Sequence, residues 1–289
     1  MRYLIILVCT PILQYGTAQL FRYITPESAM LTKTGAFLMQ YIKIFLQQFV
    51  SVCIPVLILF RKKKYFPRDE FTVAKPGYYF RCIWLGFLLQ FIGIAVNLPI
   101  SVALQTFGFS PPSSLSVAKN ALQFMMQTLV VCLTPAVFEE VLFRRIIFDS
   151  IRKYSVKTAI FLSALFFAMA HLDFYNFGAT FFIGLMLGLL RAKGAPLILC
   201  VITHFFVNFT ASILNLLLQH DFIASLFSQY SVLLYILAAV FFMLSFPKKM
   251  ASENEIVHQS AESYLKKLFC HPLFYLYITI FFIIGVKNI

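Results

Sequence analysis

Long apolar stretches separated by short polar segments make up most of this chain. A helix needs about 20 apolar residues to cross the hydrocarbon core of a bilayer, and by that measure the pattern predicts a polytopic, all-α transmembrane bundle of eight or nine spans. The fifth and sixth runs are short, so the number stays at eight or nine. The runs lie near 3–21, 37–60, 82–106, 121–143, 158–172, 177–191, 195–218, 230–246 and 271–286.

The spans divide into three groups within one membrane domain. We expect N-terminal transmembrane helices over 1–118, a central helical core over 119–218, and C-terminal helices over 219–289 with a cytoplasmic loop at 247–268. Residues 1–20 are interpreted as a retained anchor. The alternative is a cleaved signal peptide, with Gly16-Thr17-Ala18 as the cleavage region.

Composition excludes a soluble fold. Hydrophobic residues make up 61% of the 289 and charged residues only 12%, about half the charge of a typical soluble domain. The net charge of +13 does not indicate nucleic-acid binding, because the basic residues occur in short runs between apolar stretches. We therefore expect the protein to contact membrane lipids and not to bind nucleic acid.

The basic residues also predict which ends of the helices face the cytoplasm. Cytoplasmic loops are enriched in Lys and Arg, and with nine spans nineteen of the 24 basic residues fall on one side and four on the other. This places the N-terminus in the cytoplasm if residues 1–20 are retained. The nineteen are Arg2, Arg61, Lys62, Lys63, Lys64, Arg68, Lys75, Arg81, Arg144, Arg145, Arg152, Lys153, Lys157, Arg191, Lys193, Lys248, Lys249, Lys266 and Lys267.

Two adjacent acids interrupt the fourth apolar run. A central charge costs about 2.5–3.5 kcal/mol on membrane-insertion scales, so Glu139 and Glu140 need an explanation. Glu140 and Arg144 are four residues apart and share a helix face, which favours an ion pair. Glu139 is rotated by about 100° from Glu140, so it faces away from Arg144 and is left for a partner on another helix. It is therefore a candidate functional residue.

Three more polar side chains lie in later spans, and helix lengths bring the two histidines among them to the depth of Glu139. His171 ends the fifth run, while His204 and Asn208 are four residues apart on one face of the seventh. At 1.5 Å per residue, Glu139 lies about 20 Å from the cytoplasmic end of its helix. The same arithmetic places His171 about 21 Å and His204 about 17 Å from theirs.

This combination suits activation of water. A carboxylate away from bulk water can act as general base and then as general acid. A neighbouring imidazole can hold the water, and a histidine and an asparagine on one face can donate hydrogen bonds to an oxyanion. Glu139, His171 and His204 could instead bind Zn²⁺ with an open position for water. The residues alone leave both mechanisms open.

Three motifs in order carry a resemblance to a known family. Glu139-Glu140-x-x-x-Arg144, Phe167-x-x-x-His171 and His204-x-x-x-Asn208 resemble the CPBP family of CAAX proteases and bacteriocin-processing (Abi) proteins, over about residues 119–218. HExxH, Gly-x-Ser-Gly and Gly-x-Gly-Asp segments do not occur in the sequence.

The resemblance implies an intramembrane endopeptidase similar to the Ras-converting CAAX endoprotease. It implies Glu139 as the water-activating base assisted by His171, His204 with Asn208 as the oxyanion pair, and Glu140 with Arg144 as an orienting pair. Some family members have been described as metalloproteases. We favour the metal-free mechanism, with no cofactor required, because His204 and Asn208 lie on one helix face as a pair of hydrogen-bond donors would.

The expected substrate is a peptide or membrane protein, either prenylated or amphipathic, that is cut near the membrane surface. Two other functions remain as alternatives: a proton- or cation-coupled transporter that uses the same buried groups, and a non-catalytic membrane protein of the bacteriocin-immunity type. We expect the bacterial inner membrane as the location, with the endoplasmic reticulum as the alternative.

Overall fold

Helices form all the regular structure in the described part of the chain. The computed structural model describes residues 2–24, 33–60, 74–109, 118–248 and 260–287. Three π-helical segments, π1 (Phe49–Cys53), π2 (Thr128–Leu133) and π3 (Val141–Phe148), interrupt otherwise continuous helices. The α-helices are α1 (Tyr3–Ile24), α2 (Lys33–Gln48), α3 (Ile54–Phe60), α4 (Pro76–Thr106), α5 (Ala121–Gln127), α6 (Thr134–Glu140), α7 (Asp149–Arg152), α8 (Val156–Ala170), α9 (Phe177–Ala192), α10 (Leu197–Leu217), α11 (Asp221–Ser245), α12 (Ala261–Phe269) and α13 (Pro272–Lys287).

Each predicted apolar run coincides with a helical segment, so the predicted polytopic helical bundle is confirmed. Within the described ranges, six helices are long and apolar enough to cross a membrane, and α12 with α13 forms a further candidate that is bent by 66°. The predicted loop 247–268 contains most of the helix α12, and its residues 249–259 lie outside the described residues. The chain is an integral membrane protein.

The helices α8 and α9 are too short to cross the bilayer alone. They have 15 and 16 residues, or about 23 and 24 Å at 1.5 Å per residue, against a hydrocarbon core of about 30 Å. They form a hairpin whose turn, residues 171–176, is hydrogen-bonded to α4. Asn97 of α4 holds this turn, because its Nδ2 donates to the Tyr175 carbonyl at 2.7 Å and its Oδ1 accepts from the Ala179 amide at 3.2 Å.

Glycine allows the two arms of this hairpin to pack closely. A Cβ atom added at Gly184 would lie 3.0 Å from the Ala164 Cα atom and 3.1 Å from Cδ1 of Phe167. One turn further along, a Cβ at Gly188 would lie 3.4 Å from the Ile160 Cα atom. The small residues thus serve helix packing, as in other membrane bundles, and they bring α9 against the helix that ends at His171.

The elements α5, π2, α6, π3 and α7 form one continuous helix, Ala121–Arg152, which is called the α5–α7 helix below. Two buried clusters flank it. One joins α1, π3, α8, α12 and α13, and the other joins α4, α9, α10 and α11. Leu4, Ile6 and Leu7 of α1 are fully buried in the first cluster, so α1 is an integral part of the bundle. The helix α11 presents most of its large apolar side chains outward, as expected for a helix that contacts lipid.

Replacing Gly184 by valine should destabilise the bundle by about 1–3 kcal/mol, because the added methyl groups must displace α8. Thermal unfolding of the detergent-solubilised protein measures this effect. The matched control is Gly16→Val in α1, where an added Cβ meets nothing within 4 Å. Equal melting temperatures for the two variants would contradict the close packing of α8 and α9.

Candidate active site

The α5–α7 helix places two adjacent acids in different surroundings. Glu139 and Glu140 are the last residues of α6, between π2 and π3. A π segment shifts the register of the helix face, and such segments occur frequently at functional sites. The Glu140 side chain is fully buried, whereas the Glu139 side chain is 18% exposed. One acid therefore faces the packed interior and the other reaches an open space.

Glu140 is the centre of a buried charged network. Its Oε2 lies 3.1 Å from Nε of Arg144, as an ion pair without hydrogen-bond alignment, and its Oε1 lies 2.9 Å from Nδ1 of His204. The Arg144 guanidinium stacks on the Phe167 ring at 4.7 Å and donates to the Gly184 carbonyl at 3.3 Å. The predicted pairing of Glu140 with Arg144 is present, and it also fixes a histidine.

The hydrogen bond to Glu140 determines how His204 presents its other nitrogen. A carboxylate paired with arginine accepts hydrogen bonds, so Nδ1 of His204 donates the proton. Its Nε2 then points away from Glu140, and Oε2 of Glu139 lies 4.0 Å from it. For His204 to donate from Nε2 as well, the ring must carry both protons.

His171 is oriented in a comparable way from another helix. It is the C-cap residue of α8, and its Nδ1 lies 2.8 Å from the Phe167 carbonyl oxygen. A carbonyl only accepts, so Nδ1 donates and Nε2 is left facing Glu139, whose Oε2 lies 3.9 Å away. Leu172, the next residue, has a φ of 53°, a conformation that non-glycine residues adopt rarely. This strained turn directs the chain away from the site immediately after His171.

Oε2 of Glu139 therefore lies near the Nε2 atoms of two histidines without bonding to either. The separations of 3.9 and 4.0 Å exceed hydrogen-bond distances. Oε2 itself is buried and has no hydrogen-bond partner among the described residues. A buried polar atom without a protein partner is uncommon and requires an explanation, such as a catalytic role or a bound water.

A cavity of about 360 Å³, lined by both polar and apolar residues, adjoins Glu139. Asn208 lines it one helical turn beyond His204, and its Nδ2 donates to the Val131 carbonyl at 3.4 Å, which leaves its second N–H available. The structure thus brings Glu139, His171, His204 and Asn208 to one cavity. The other lining residues are Gln48, Gln127, Val131, Pro135, Ala211, Ser212 and Asn215.

A second cavity, of about 200 Å³, shares Glu139 and His171 with the first. Gln48, the last residue of α2, lines both cavities, and its Oε1 is buried without a hydrogen-bond partner among the described residues. Sequence reasoning missed Gln48. The available signal was the polar pair Gln47-Gln48 within an apolar run, but its distance along the chain from Glu139 concealed that Gln48 lines the same cavities.

The distances among the candidate zinc ligands are longer than those around a bound zinc ion. Two ligands of a tetrahedral zinc ion, each about 2.0–2.1 Å from it, lie roughly 3.4 Å apart, whereas Glu139 lies 3.9 and 4.0 Å from the two histidines. In the described ranges, no group of three or more His, Cys, Asp or Glu side chains is placed to hold a metal ion.

Comparison with known proteins identifies the family of the central helices. Residues 121–210 match the family model described as type II CAAX prenyl endopeptidase Rce1-like, and all six motif residues fall within this segment. No curated protein and no solved structure matches the chain. This match confirms the resemblance to CAAX proteases that the three motifs predicted for these helices. This family implies an intramembrane peptidase of the CAAX-protease type.

Replacing Arg144 alone by methionine should destabilise the protein by about 3–5 kcal/mol, because it leaves the buried Glu140 carboxylate unpaired. The double variant Glu140→Gln/Arg144→Met should recover much of this loss. Arg152→Met is the matched control and should cost under about 1 kcal/mol, since Arg152 forms a partly exposed ion pair. Chemical denaturation in detergent measures all three, and a double variant as unstable as Arg144→Met would contradict the buried pair.

Proposed function

We propose that this protein is an intramembrane endopeptidase in which Glu139 activates water. The observation that carries the proposal is the buried, unbonded Oε2 of Glu139 between the Nε2 atoms of His171 and His204. Both separations suit a water oxygen that hydrogen-bonds to Glu139 and to a histidine at about 2.8 Å. The match of residues 121–210 to a peptidase family supports the same reaction.

In the proposed first step, His171 and Glu139 hold and deprotonate the water. Nδ1 of His171 donates to the Phe167 carbonyl, so Nε2 is free to accept one hydrogen of the water. Glu139 takes the other proton as general base, and the water oxygen bonds to the carbonyl carbon of the substrate. The carbonyl oxygen becomes an oxyanion.

His204 and Asn208 are the proposed donors to this oxyanion. They share one face of α10 and line the same cavity, and donors aimed at developing charge supply a large part of catalysis in amide hydrolysis. Asn208 has a second N–H for this purpose, and His204 donates from Nε2 when its ring carries both protons. Glu140 and Arg144 act as positioning residues, because they orient His204 through Nδ1.

The last step separates the products. Glu139 gives the proton that it took from water to the nitrogen of the leaving peptide, and the C–N bond breaks. The products are a carboxylic acid and an amine, and Glu139 returns to its ionised form. No group other than water and the substrate is consumed.

An apolar groove near the site suits the proposed substrate class. A cavity of about 210 Å³ lies between π1–α3 and the α5–α7 helix, and it is lined almost entirely by apolar groups. Three of its lining residues lie within two positions of Glu139 in the sequence. It fits a hydrocarbon chain or a large apolar side chain. We infer a peptide that is prenylated or amphipathic, with its polar backbone at Glu139. The lining residues are Val52, Cys53, Val56, Leu57, Val137, Phe138 and Val141.

Replacing Glu139 by glutamine should reduce cleavage by about 10²–10⁴-fold, because the amide cannot accept the proton of water. Quantitative proteomics of new peptide termini in membranes from cells that express each form identifies the substrate and measures the loss. The fold should be unchanged, as judged by thermal unfolding. The matched control is Glu262→Gln, the same change at an exposed position of α12.

If Glu139→Gln and wild type produced the same termini, the catalytic assignment would be wrong. A phenotype that survives Glu139→Gln would favour the non-catalytic alternative. Loss of an ion gradient without any change in peptide termini would favour the transporter.

The metal-free mechanism predicts that exhaustive chelation leaves cleavage unchanged. The peptide found by proteomics, synthesised with a fluorophore and a quencher, provides the assay. Elemental analysis of the purified, chelated protein should find less than one equivalent of zinc. Activity that is lost on chelation and restored by Zn²⁺ would overturn this mechanism and favour Glu139, His171 and His204 as ligands.

A further inference from the structure

Two cavities adjoin each other at Glu139. The cavity of about 360 Å³ and the cavity of about 200 Å³ share three lining residues, which are Gln48, Glu139 and His171. Apart from Glu139 itself, the α5–α7 helix lines the larger cavity with residues that precede Glu139 and the smaller cavity with two that follow it, Leu142 and Phe143. The three shared side chains therefore lie where one cavity continues into the other.

The two cavities differ in the other helices that line them. The helix α10 lines the larger cavity with the proposed oxyanion donors His204 and Asn208 and with later residues, but it contributes nothing to the smaller cavity. The smaller cavity is lined by α1, α2 and π1, together with π3 and the end of α8. The side of the larger cavity where Gln48 lies thus faces away from α10.

Gln48 provides an unused hydrogen-bond acceptor at this place. Its Oε1 is buried and has no hydrogen-bond partner among the described residues. Neighbouring polar side chains are used to join helices: Nε2 of Gln47 donates to the Gln14 carbonyl at 3.3 Å, and Oγ1 of Thr10 donates to the Ser51 carbonyl at 3.0 Å. A buried acceptor without a bond requires an explanation, and a substrate group that donates a hydrogen bond to it supplies one.

The helix that carries Gln48 is interrupted directly after this residue. The segment π1 begins at Phe49, just as π3 begins directly after Glu140. Segments of π-helix within α-helices occur frequently at functional sites. Gln48 is therefore placed relative to its π segment as the acidic pair is placed relative to π3.

The geometry of the peptide group indicates which part of a substrate reaches Gln48. In a planar trans peptide the C=O and N–H bonds point in opposite directions across the chain. When the carbonyl of the scissile bond accepts hydrogen bonds from His204 and Asn208, its N–H points away from α10. Gln48 lies on that side of the cavity, and a side-chain amide oxygen accepts from N–H groups.

The catalytic water of the proposed mechanism does not need this acceptor. Its two hydrogens go to Glu139 and to Nε2 of His171, so neither is left for Gln48. The nitrogen of the scissile bond, by contrast, must take up a proton from Glu139 before the C–N bond breaks. A hydrogen bond from its N–H fixes the direction of the nitrogen lone pair that receives this proton.

We propose that Gln48 is a substrate-binding residue whose Oε1 accepts a hydrogen bond from the N–H of the scissile peptide bond. The proposal rests on the function proposed above. The bond holds the nitrogen while Glu139 transfers to it the proton taken from water, and the leaving peptide then departs as an amine. A role in the reaction is thereby assigned to α2, which lies outside the residues 121–210 that match the family.

Removing the N–H from the substrate tests this role. The peptide found by proteomics is synthesised in two forms, one with the scissile amide and one with an ester, in which oxygen replaces the N–H. Gln48→Met removes the acceptor and keeps a side chain of similar length. We expect it to lower kcat/KM for the amide about 3–10-fold, the effect of one neutral hydrogen bond, and to leave kcat/KM for the ester unchanged. Comparing each substrate with itself cancels the higher reactivity of the ester.

Gln47→Met is the matched control at the adjacent position. It should lower the melting temperature by about 2–4 °C, because it removes the hydrogen bond to the Gln14 carbonyl. Gln48→Met should melt at the wild-type temperature or above it, since its Oε1 has no partner to lose among the described residues. Any effect of Gln47→Met on kcat/KM should be the same for the amide and the ester.

An equal loss for amide and ester in Gln48→Met, as expected if Gln48 held the catalytic water or only shaped the site, would overturn the proposal. No loss for either substrate, or a melting temperature as low as that of Gln47→Met, would overturn it as well. Glu139→Gln, measured in parallel, separates this failure from failure of the function. If Glu139→Gln cleaves neither substrate, the function stands whatever Gln48→Met does, and if it cleaves the amide at the wild-type rate, the proposed function is wrong.

Discussion

The buried ion pair between Glu140 and Arg144 is the constraint on which the site depends. Two charges that are fully removed from water are tolerated only when they neutralise each other and find further partners. Here the partners are His204, the Gly184 carbonyl and the Phe167 ring, from three other helices. A pair that requires these contacts brings α8, α9 and α10 to fixed positions around α6. The same contacts orient the histidine that faces Glu139.

The cost of burying these charges explains why the two acids differ. Glu140 is held in the packed interior and has an arginine and a histidine as partners, whereas Glu139 reaches the cavity and has no bonded partner for Oε2. A polar oxygen in a membrane interior is unfavourable without a hydrogen-bond partner, and the water of the proposed mechanism supplies one from the cavity that Glu139 lines. The α8–α9 hairpin contributes His171, which ends α8 and lines the same cavity.

Much of the site was predictable from the sequence because the motif residues interrupt apolar helices. Glu139, His171, His204 and Asn208 were identified as expensive polar groups at similar depth, and the structure brings them to one cavity. Gln48 was not identified, since it lies about ninety residues before Glu139 and outside the segment that matches the family. The bond from Nδ1 of His204 to Glu140 was not predicted either. The sequence indicated His204 as a hydrogen-bond donor to the oxyanion. Because Nδ1 of His204 already donates to Glu140, the ring must carry a second proton on Nε2 for that role.

The sequence by itself determined the class of fold, the helical segments and the charged face of the bundle. These features follow from hydrophobicity, helix length and loop charge, which are properties of single segments. Only the tertiary structure decided which helices adjoin Glu139, where the α8–α9 turn lies and which residues line the cavities at Glu139. Lateral packing depends on contacts between segments far apart in the chain, such as Gly184 with Ala164 and Asn97 with Tyr175, and no periodicity within one helix contains that information.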